Sequence, residues 1–89
     1  MRIEFDDTKR ARTFAVRRLD MARAAAVFEG ATLTVEDDRR DYGEGRFITI
    51  GFLDDVMVVL VWTPRDDSRR IISIRRANER ERQLYDPRF

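Results

Sequence analysis

The sequence predicts an α+β fold with a mainly antiparallel sheet and its helices packed on one face, and three observations lead to it. Strand-like segments follow one another through short turns in the second half of the chain. Two helical patterns precede these segments and one follows them, whereas a parallel sheet alternates strands with helices. With 89 residues, the chain is about the size of one small domain. We therefore expect a single domain over residues 1–89.

The N-terminal segment predicts a strand followed by a helix. Arg2 to Phe5 alternates polar and apolar side chains, as a short half-buried strand does. Asp6 or Asp7 is a suitable N-cap for a helix from Thr8 to about Val16. The apolar positions of this helix fall three and four residues apart: Ala11, Phe14 and Ala15.

A second helix and a short strand follow. Asp20 is a second candidate N-cap. The apolar stripe of the helix that follows Asp20 in the sequence stops at Gly30. The β-branched segment from Thr32 to Val35 predicts a strand that enters an acidic, glycine-containing loop over residues 36–45. The stripe of the helix consists of Met21, Ala24, Ala25 and Phe28.

Three meandering strands and a last helix complete the prediction. The segments "RFITIGF", "VMVVLVW" and "RRIISIRR" have strand composition, and Asp54-Asp55 and "TPRDDS" are typical of the turns between them. Asn78 with Glu81 resembles a capping box for a helix through about Tyr85, closed by Pro87. The predicted order is β-α-α-β-β-β-α.

The composition excludes several kinds of site. The chain contains no cysteine and no histidine, so thiolate metal sites, cysteine nucleophiles and the commonest general base are absent. We expect no metal and no cofactor. The longest apolar run, residues 56–62, is far too short for a membrane span, and the N-terminus does not resemble a signal peptide. A cytoplasmic protein is expected.

The charges are unevenly distributed, although the net charge is only +1. Residues 9–23 hold six cations and one acid, and residues 69–76 hold four arginines and no acid. Residues 36–44 hold five acids and two arginines. This distribution predicts a basic face and an acidic loop.

The strand "RRIISIRR" is the most prominent basic element. Strict alternation would place Arg70, Ile72 and Ile74 on one face. Ile71, Ser73 and Arg75 would then lie on the other face, which can present Ser73 and Arg75 to a phosphate. The alternative is an ordinary strand with solvated ends.

Aromatic side chains near these arginines allow two interpretations. Trp62, Tyr85 and Phe89 can stack on unpaired bases, or they can close a small core. Residues 80–82 are typical of a solvated helix face with local ion pairs. The residues alone predict a basic α+β domain and no specific function.

An ordered set of motifs resembles a known family. These motifs are "EFDDTK", "AAAVFEG", "EDDRRDYGEGRFITIG", "VVLVWTPR" and "RRIISIRRANERERQLY". They resemble BrnT, the toxin of a bacterial type II toxin-antitoxin pair. The most specific part combines "RIISxRxA" with "ExxxY": Arg70, Ile71, Ile72, Ser73, Arg75, Ala77, Glu81 and Tyr85.

The resemblance implies a fold, an activity and a partner. BrnT proteins resemble the RelE-type toxins, which are small α+β ribonucleases that cleave RNA and thereby block translation. The implied partner is BrnA, an antitoxin with a ribbon-helix-helix DNA-binding part that covers the toxin and represses the shared operon. Such a pair commonly assembles as two toxins with two antitoxins.

The resemblance also suggests the site. Arginines would hold the scissile phosphate, and Tyr85 or Glu81 would transfer protons during metal-independent cleavage. Lys9 would be a secondary contact. The candidate catalytic residues are Arg70, Arg75, Glu81 and Tyr85. The candidate RNA-binding residues are Lys9, Arg17, Arg46 and Arg76.

One segment departs from the family pattern. Where the family usually has Asn and then a Lys-His-Gly run, this chain has Thr13, Val16, Arg17 and Arg18. An arginine cannot act as a base near neutral pH, although it can bind phosphate. This departure leaves open a catalytically weakened or silent relative that acts as an antitoxin-binding and co-repressor module. A nucleic-acid-binding domain without a toxin partner is a further alternative.

Overall fold

The computed structural model describes residues 1–89 and contains one five-stranded sheet, three α-helices and two 3₁₀ turns. The fold is α+β, as the sequence predicts. None of the helices has the length and hydrophobicity that crossing a membrane requires. In chain order the elements are β1 (Arg2–Glu4), α1 (Asp7–Arg17), a 3₁₀ turn (Met21–Arg23), α2 (Ala24–Glu29), β2 (Leu33–Glu36), β3 (Phe47–Leu53), β4 (Val56–Arg65), β5 (Ser68–Arg76), α3 (Glu79–Tyr85) and a 3₁₀ turn (Asp86–Arg88).

The sheet is mainly antiparallel, as the sequence predicts, but one parallel strand pair makes it mixed. Its strand order is β1-β5-β4-β3-β2, with β1 parallel to β5 and the other three pairs antiparallel. A parallel pair needs a long connection, and here the helices and three strands lie between its two members. Four strands separate α2 from α3, one more than the predicted order counts. The edge strand among them is the one predicted over Thr32 to Val35, observed as Leu33–Glu36 and paired with β3.

Helices lie on both faces of the sheet, so the prediction that they pack on one face is wrong. The physical reason is that β4 is apolar at nearly every position and therefore presents hydrophobic side chains to both sides. We call the face that packs against α2 the core face and the opposite one the groove face. On the groove face, Tyr85 of α3 packs on Ile50, Met57 and Val59. The core face buries Val58, Leu60, Trp62, Ile71 and Ile74 against Met21, Ala24 and Val27.

A β-bulge in β5 changes which side chains share a face. Val61 pairs with Ser73 but Trp62 pairs with Ile71, so Ile72 has no partner across the strand pair. Ile71 therefore joins Ile74 on the core face, contrary to strict alternation. The predicted separation of the isoleucines by face is wrong, because the bulge inserts one extra residue between them.

The predicted caps and the Asp54-Asp55 turn are confirmed. The turn predicted over "TPRDDS" is shorter, because β4 continues to Arg65 and β5 begins at Ser68. The side chains of Asp6 and Asp20 accept hydrogen bonds from backbone N–H groups at the starts of α1 and the first 3₁₀ turn. Asn78 and Glu81 form a complete capping box. The β3–β4 hairpin turns at Asp54 and Asp55, both with positive φ, as a two-residue hairpin of this kind requires.

Helix α1 is attached to the sheet through polar groups. None of its residues is buried. The Arg17 guanidinium donates to the Ile74 carbonyl at 2.9 Å, and β1 pairs with β5 only over residues 68–70. The C-terminal end of α1 thus covers a part of the β5 edge that β1 leaves open.

We expect Gly51→Ala to destabilise the fold because α2 approaches β3 closely at this residue. An added Cβ would lie 2.7 Å from Val27 Cγ1 and 3.2 Å from Thr32 Cγ2. The expected loss in unfolding free energy is about 1 to 3 kcal/mol, measured by urea unfolding. Gly45→Ala is the matched control, since its Cβ would meet nothing closer than 3.9 Å. If the losses in unfolding free energy of Gly51→Ala and Val27→Ala simply add in the double variant, the proposed clash between these two side chains is contradicted.

Candidate nucleic-acid interface

A groove of about 460 Å³ crosses the groove face of the sheet. Its floor is apolar, and its rim carries charged and hydroxyl side chains from β5, from the loop after β2 and from the C-terminal segment. An apolar floor with a cationic rim can accept a base and hold its phosphate. The floor consists of Leu33, Val35, Ile48, Ile50, Val59 and Val61, and the rim of Arg39, Ser73, Arg75, Glu81, Tyr85 and Arg88.

An ion pair between Arg75 and Glu81 crosses the groove from β5 to α3. Arg75 Nη1 and Nη2 donate to the two carboxylate oxygens of Glu81 at 2.7 and 2.8 Å. Glu81 also accepts from the Asn78 backbone N–H at 2.9 Å. Hydrogen bonds from Arg75 and Asn78 lower the pKa of Glu81 to about 2. At neutral pH Glu81 is therefore ionised and has no proton to donate.

A second, smaller pocket of about 210 Å³ gathers cations from distant parts of the chain. Its cations are Lys9 of α1, Arg46 before β3, Arg65 of β4 and Arg70 of β5. We call it the basic pocket. Its lining includes Thr63, which points to the same side of β4 as Val59 and Val61 because side chains alternate along a strand. The groove and the basic pocket thus share the groove face. Two carboxylates, Asp6 and Glu44, also line the pocket.

The cations of the basic pocket repel one another. Burial, followed by the charges of Arg46 and Arg17, lowers the pKa of the Lys9 amine below its ordinary value. The contacts of Arg70 with Glu4 at 3.8 Å and of Arg46 with Glu44 at 3.4 Å are long for ion pairs. An anion in this pocket would relieve the repulsion, so the arrangement favours phosphate.

The outer arginines of "RRIISIRR" make contacts within the fold. Arg69 lies over the rings of Phe28 and Trp62, at 4.3 and 4.7 Å from their centroids. Arg76 donates to the Arg17 carbonyl and so ties β5 to the end of α1. The inner two arginines of this strand are the ones that reach the groove and the basic pocket.

The structure thus divides the predicted site residues into three groups. Arg75, Glu81 and Tyr85 line the groove. Lys9, Arg46 and Arg70 line the basic pocket. Arg17 and Arg76 line neither; they connect α1 to β5.

Two cations at the groove rim were missed by sequence reasoning. Arg39 belongs to the loop counted as acidic, but its guanidinium pairs with the buried Asp37 at 2.7 Å. Hydrogen bonds from Arg39 and Tyr42 help to hold the pKa of Asp37 at about 2. Arg88 follows the last helix. No local sequence signal brings either arginine to β5.

The departure from the family pattern lies at the end of α1. Arg18 is the C-cap, with φ 58° in the left-handed region that glycine adopts without strain. The glycine that the resemblance implies at this position fits such a backbone conformation. No cluster of three or more potential metal-ligating side chains occurs in the chain.

Of the aromatic residues, Trp62 belongs to the core. It is 8% exposed, stacks on Phe47 and donates its indole N–H to Thr49. Phe89 packs edge-on against Phe52. Among the three aromatic candidates for base stacking, only Tyr85 lines the groove.

The Arg75–Glu81 pair predicts a pH-dependent stability difference. Because the folded pKa of Glu81 is lowered from 4.5 to about 2, its contribution is complete above about pH 5 and is lost as pH falls towards 2. We expect Glu81→Gln to lower the unfolding free energy by about 1 kcal/mol at pH 7, because the pair is partly solvent-exposed, and by almost nothing near pH 2. Urea unfolding followed by Trp62 fluorescence measures this. Glu79→Gln, on the same helix, serves as control, and an equal effect at both pH values would contradict the prediction.

Comparison with known proteins identifies the family. Residues 5–81 match the family model described as "Ribonuclease toxin, BrnT, of type II toxin-antitoxin system". No curated protein matches the chain. Since the match spans most of the sequence, the chain belongs to the BrnT family of ribonuclease toxins of type II toxin-antitoxin systems.

Proposed function

We propose that this toxin is a cytoplasmic, metal-independent endoribonuclease that binds RNA along the groove face and blocks translation by cleaving it. We further propose a RelE-like arrangement and neutralisation by a BrnA-type ribbon-helix-helix antitoxin, two toxins assembling with two antitoxins. The observation that carries the proposal is the groove, which Arg75 and Tyr85 both line and which has an apolar floor. The groove lies on the same face of the sheet as the basic pocket.

The two sites can hold different phosphates of one strand. Arg70 and Arg75 are five residues apart on β5, which corresponds to about 16 Å along an extended strand. A single phosphate cannot easily contact both. We assign the scissile phosphate to Arg75, beside Tyr85, and a flanking phosphate to Arg70, Lys9 and Arg46.

The proposed chemistry uses the 2′-hydroxyl of the RNA as nucleophile. A base removes its proton, an acid protonates the leaving 5′-oxygen, and a cation stabilises the charge that grows on the phosphate. Arg75 supplies the cation, and its Nε makes no hydrogen bond to Glu81. Tyr85 is the proton-transfer group, whereas Glu81 orients Arg75. With a pKa of about 2, Glu81 is ionised at neutral pH, so it has no proton to donate and is a weak base.

Lys9→Met tests the flanking-phosphate site. We expect weaker RNA binding for every RNA sequence, and a slope of log affinity against log salt that is smaller by about 0.7, the value for one single-strand phosphate. The measurement is a fluorescence-anisotropy titration of a non-cleavable 2′-deoxy oligonucleotide at several salt concentrations. Arg12→Met, an exposed cation on the same helix, is the control. An unchanged slope for Lys9→Met would remove Lys9 from the RNA path.

The direct test of the function combines RNA cleavage with growth. The purified chain is incubated with ribosome-free and ribosome-bound mRNA, and the same chain is induced in a bacterial host. Cleavage together with growth arrest supports the proposal. Folded protein that cleaves neither RNA would overturn it.

A second candidate is a silent relative that binds the antitoxin without cleaving RNA. The observation that favours it is the position of Arg17, where the family usually has His: its guanidinium is bonded to the Ile74 carbonyl and reaches neither the groove nor the basic pocket. Growth arrest by Arg17→His but not by the natural chain would select this candidate. Arrest by both would exclude it.

A further inference from the structure

The outer side of α1 carries apolar side chains that are largely exposed, although the Arg18 guanidinium lies 5.5 Å from the centroid of the Phe14 ring. Ala11, Phe14 and Ala15 are exposed, with Phe14 46% accessible. Lys9 and Thr13, on the opposite side of the helix, are half-buried. In an ordinary surface helix the apolar stripe faces the core. Here the amphipathic pattern is present but its apolar side points to solvent.

The apolar side of α1 continues onto the sheet. Phe14 and Val56 of β4 line one depression, and Val56 is 41% exposed. The buried side chains of Leu19 and Leu53 form its base. We call the surface made by Ala11, Phe14, Ala15 and Val56 the Phe14 patch.

The rim of the Phe14 patch carries cations without carboxylate partners. Arg18 and Arg76 line the same depression as Phe14, and Arg12 lies on the exposed surface of α1. None of these three takes part in any ion pair of the chain. The other two cations nearby are neutralised, Arg10 by Asp20 and Arg23 by Asp54. Asp7, which lines an adjacent pocket with Ala11 and Phe14, is a carboxylate without an ion pair. The three unpaired cations outnumber it, so the net unpaired charge around the patch is positive.

The Phe14 patch and the groove lie on different sides of the sheet. Arg76 pairs in register with Val58, whose side chain belongs to the core face. Val56 is two residues from Val58 and points the same way. A partner bound to the patch would therefore leave the apolar floor of the groove free.

We infer that the Phe14 patch is the docking surface for an acidic amphipathic segment of the protein antitoxin. Membership of a type II toxin-antitoxin family means that a protein partner binds this chain. Apolar side chains of that segment would cover Phe14, and its carboxylates would pair with Arg12, Arg18 and Arg76. A second copy of the chain fits less well, because two such patches would bring six like charges together. The inference rests on the antitoxin part of the proposed function and names the surface involved.

The test measures affinity for the purified antitoxin of the same toxin-antitoxin pair by isothermal titration calorimetry. We expect Phe14→Glu to weaken binding at least about 100-fold, as loss of a central aromatic contact does, while RNA cleavage without antitoxin stays at the wild-type rate. Leu84→Glu is the control, since Leu84 is another large exposed apolar residue, 61% exposed, and lies on α3. Ala11→Glu is the second variant, because this exposed helical position accepts Glu without loss of folding.

The outcomes separate this inference from the proposed activity. Weakened binding by Phe14→Glu and Ala11→Glu, but not by Leu84→Glu, supports the docking surface even if the wild-type chain cleaves no RNA. Wild-type affinity of both patch variants overturns it. Conversion of a self-associated chain to a monomer by Phe14→Glu, with antitoxin affinity unchanged, also overturns it, in favour of a second copy.

Discussion

Arg75→Ala is expected to lower kcat/KM for RNA cleavage about 100- to 1,000-fold, the loss typical of removing one cation or donor that stabilises a charged transition state. Arg75 is the cation of the groove that lies on a rigid strand and is oriented by two hydrogen bonds to Glu81. Because the negative charge grows in the transition state, the loss should fall mainly on kcat rather than on KM. The measurement is steady-state cleavage of a fluorescent RNA oligonucleotide.

Two controls distinguish a phosphate contact from a structural effect. Arg80→Ala removes an exposed arginine of α3 that makes no ion pair and should leave cleavage unchanged. Glu81→Gln breaks the ion pair but keeps Arg75, so it should cost less activity than Arg75→Ala. If Glu81→Gln and Arg75→Ala lose the same activity, the pair acts by holding α3 and Arg75 does not contact the phosphate.

The local features of the fold could be predicted because they depend on short-range chemistry. The caps at Asp6, Asp20 and Asn78 and the hairpin at Asp54-Asp55 each follow from one or two residues and their neighbours. The parallel pairing of β1 with β5 could not be predicted, because it joins segments more than sixty residues apart. The packing of helices on both faces of the sheet could in principle be deduced, since the sequence of β4 is apolar on both sides.

The candidate site was predictable in composition but not in arrangement. The resemblance picked out Arg75, Glu81 and Tyr85, and the structure places these three around one groove. Alternation alone misplaced the isoleucines, because the bulge at Ile72 leaves no mark in the sequence. The contribution of Arg39 depends on how its loop brings the side chain to the groove rim, which is a tertiary effect.

The apolar stripe of α1 could be predicted as a pattern, but what covers it could not. Periodicity identified Ala11, Phe14 and Ala15 as one face of a helix, and that face exists. A stripe of this kind normally indicates burial in the same chain. We infer that this stripe is instead covered in a complex with another chain, and the sequence of one chain does not contain that partner.

Tyr85→Phe is expected to lower kcat about 100- to 10,000-fold, the range that positioned general acids and bases contribute. The substitution removes only the hydroxyl, and the ring keeps its packing against Ile50, Met57 and Val59. The midpoint of thermal unfolding should therefore stay nearly unchanged, and RNA binding measured with a 2′-deoxy oligonucleotide should remain close to wild type.

The pH dependence of kcat is a more specific test of the role of the Tyr85 hydroxyl than the size of the loss in kcat. If the Tyr85 hydroxyl transfers a proton, one limb of the wild-type pH–rate profile should be lost in Tyr85→Phe, whereas Arg75→Ala should lower the whole profile without changing its shape. Tyr42→Phe is the matched control, because the Tyr42 hydroxyl donates to Asp37 and does not line the groove. A wild-type kcat for Tyr85→Phe would leave Tyr85 as a stacking platform for a base and would assign proton transfer to another group.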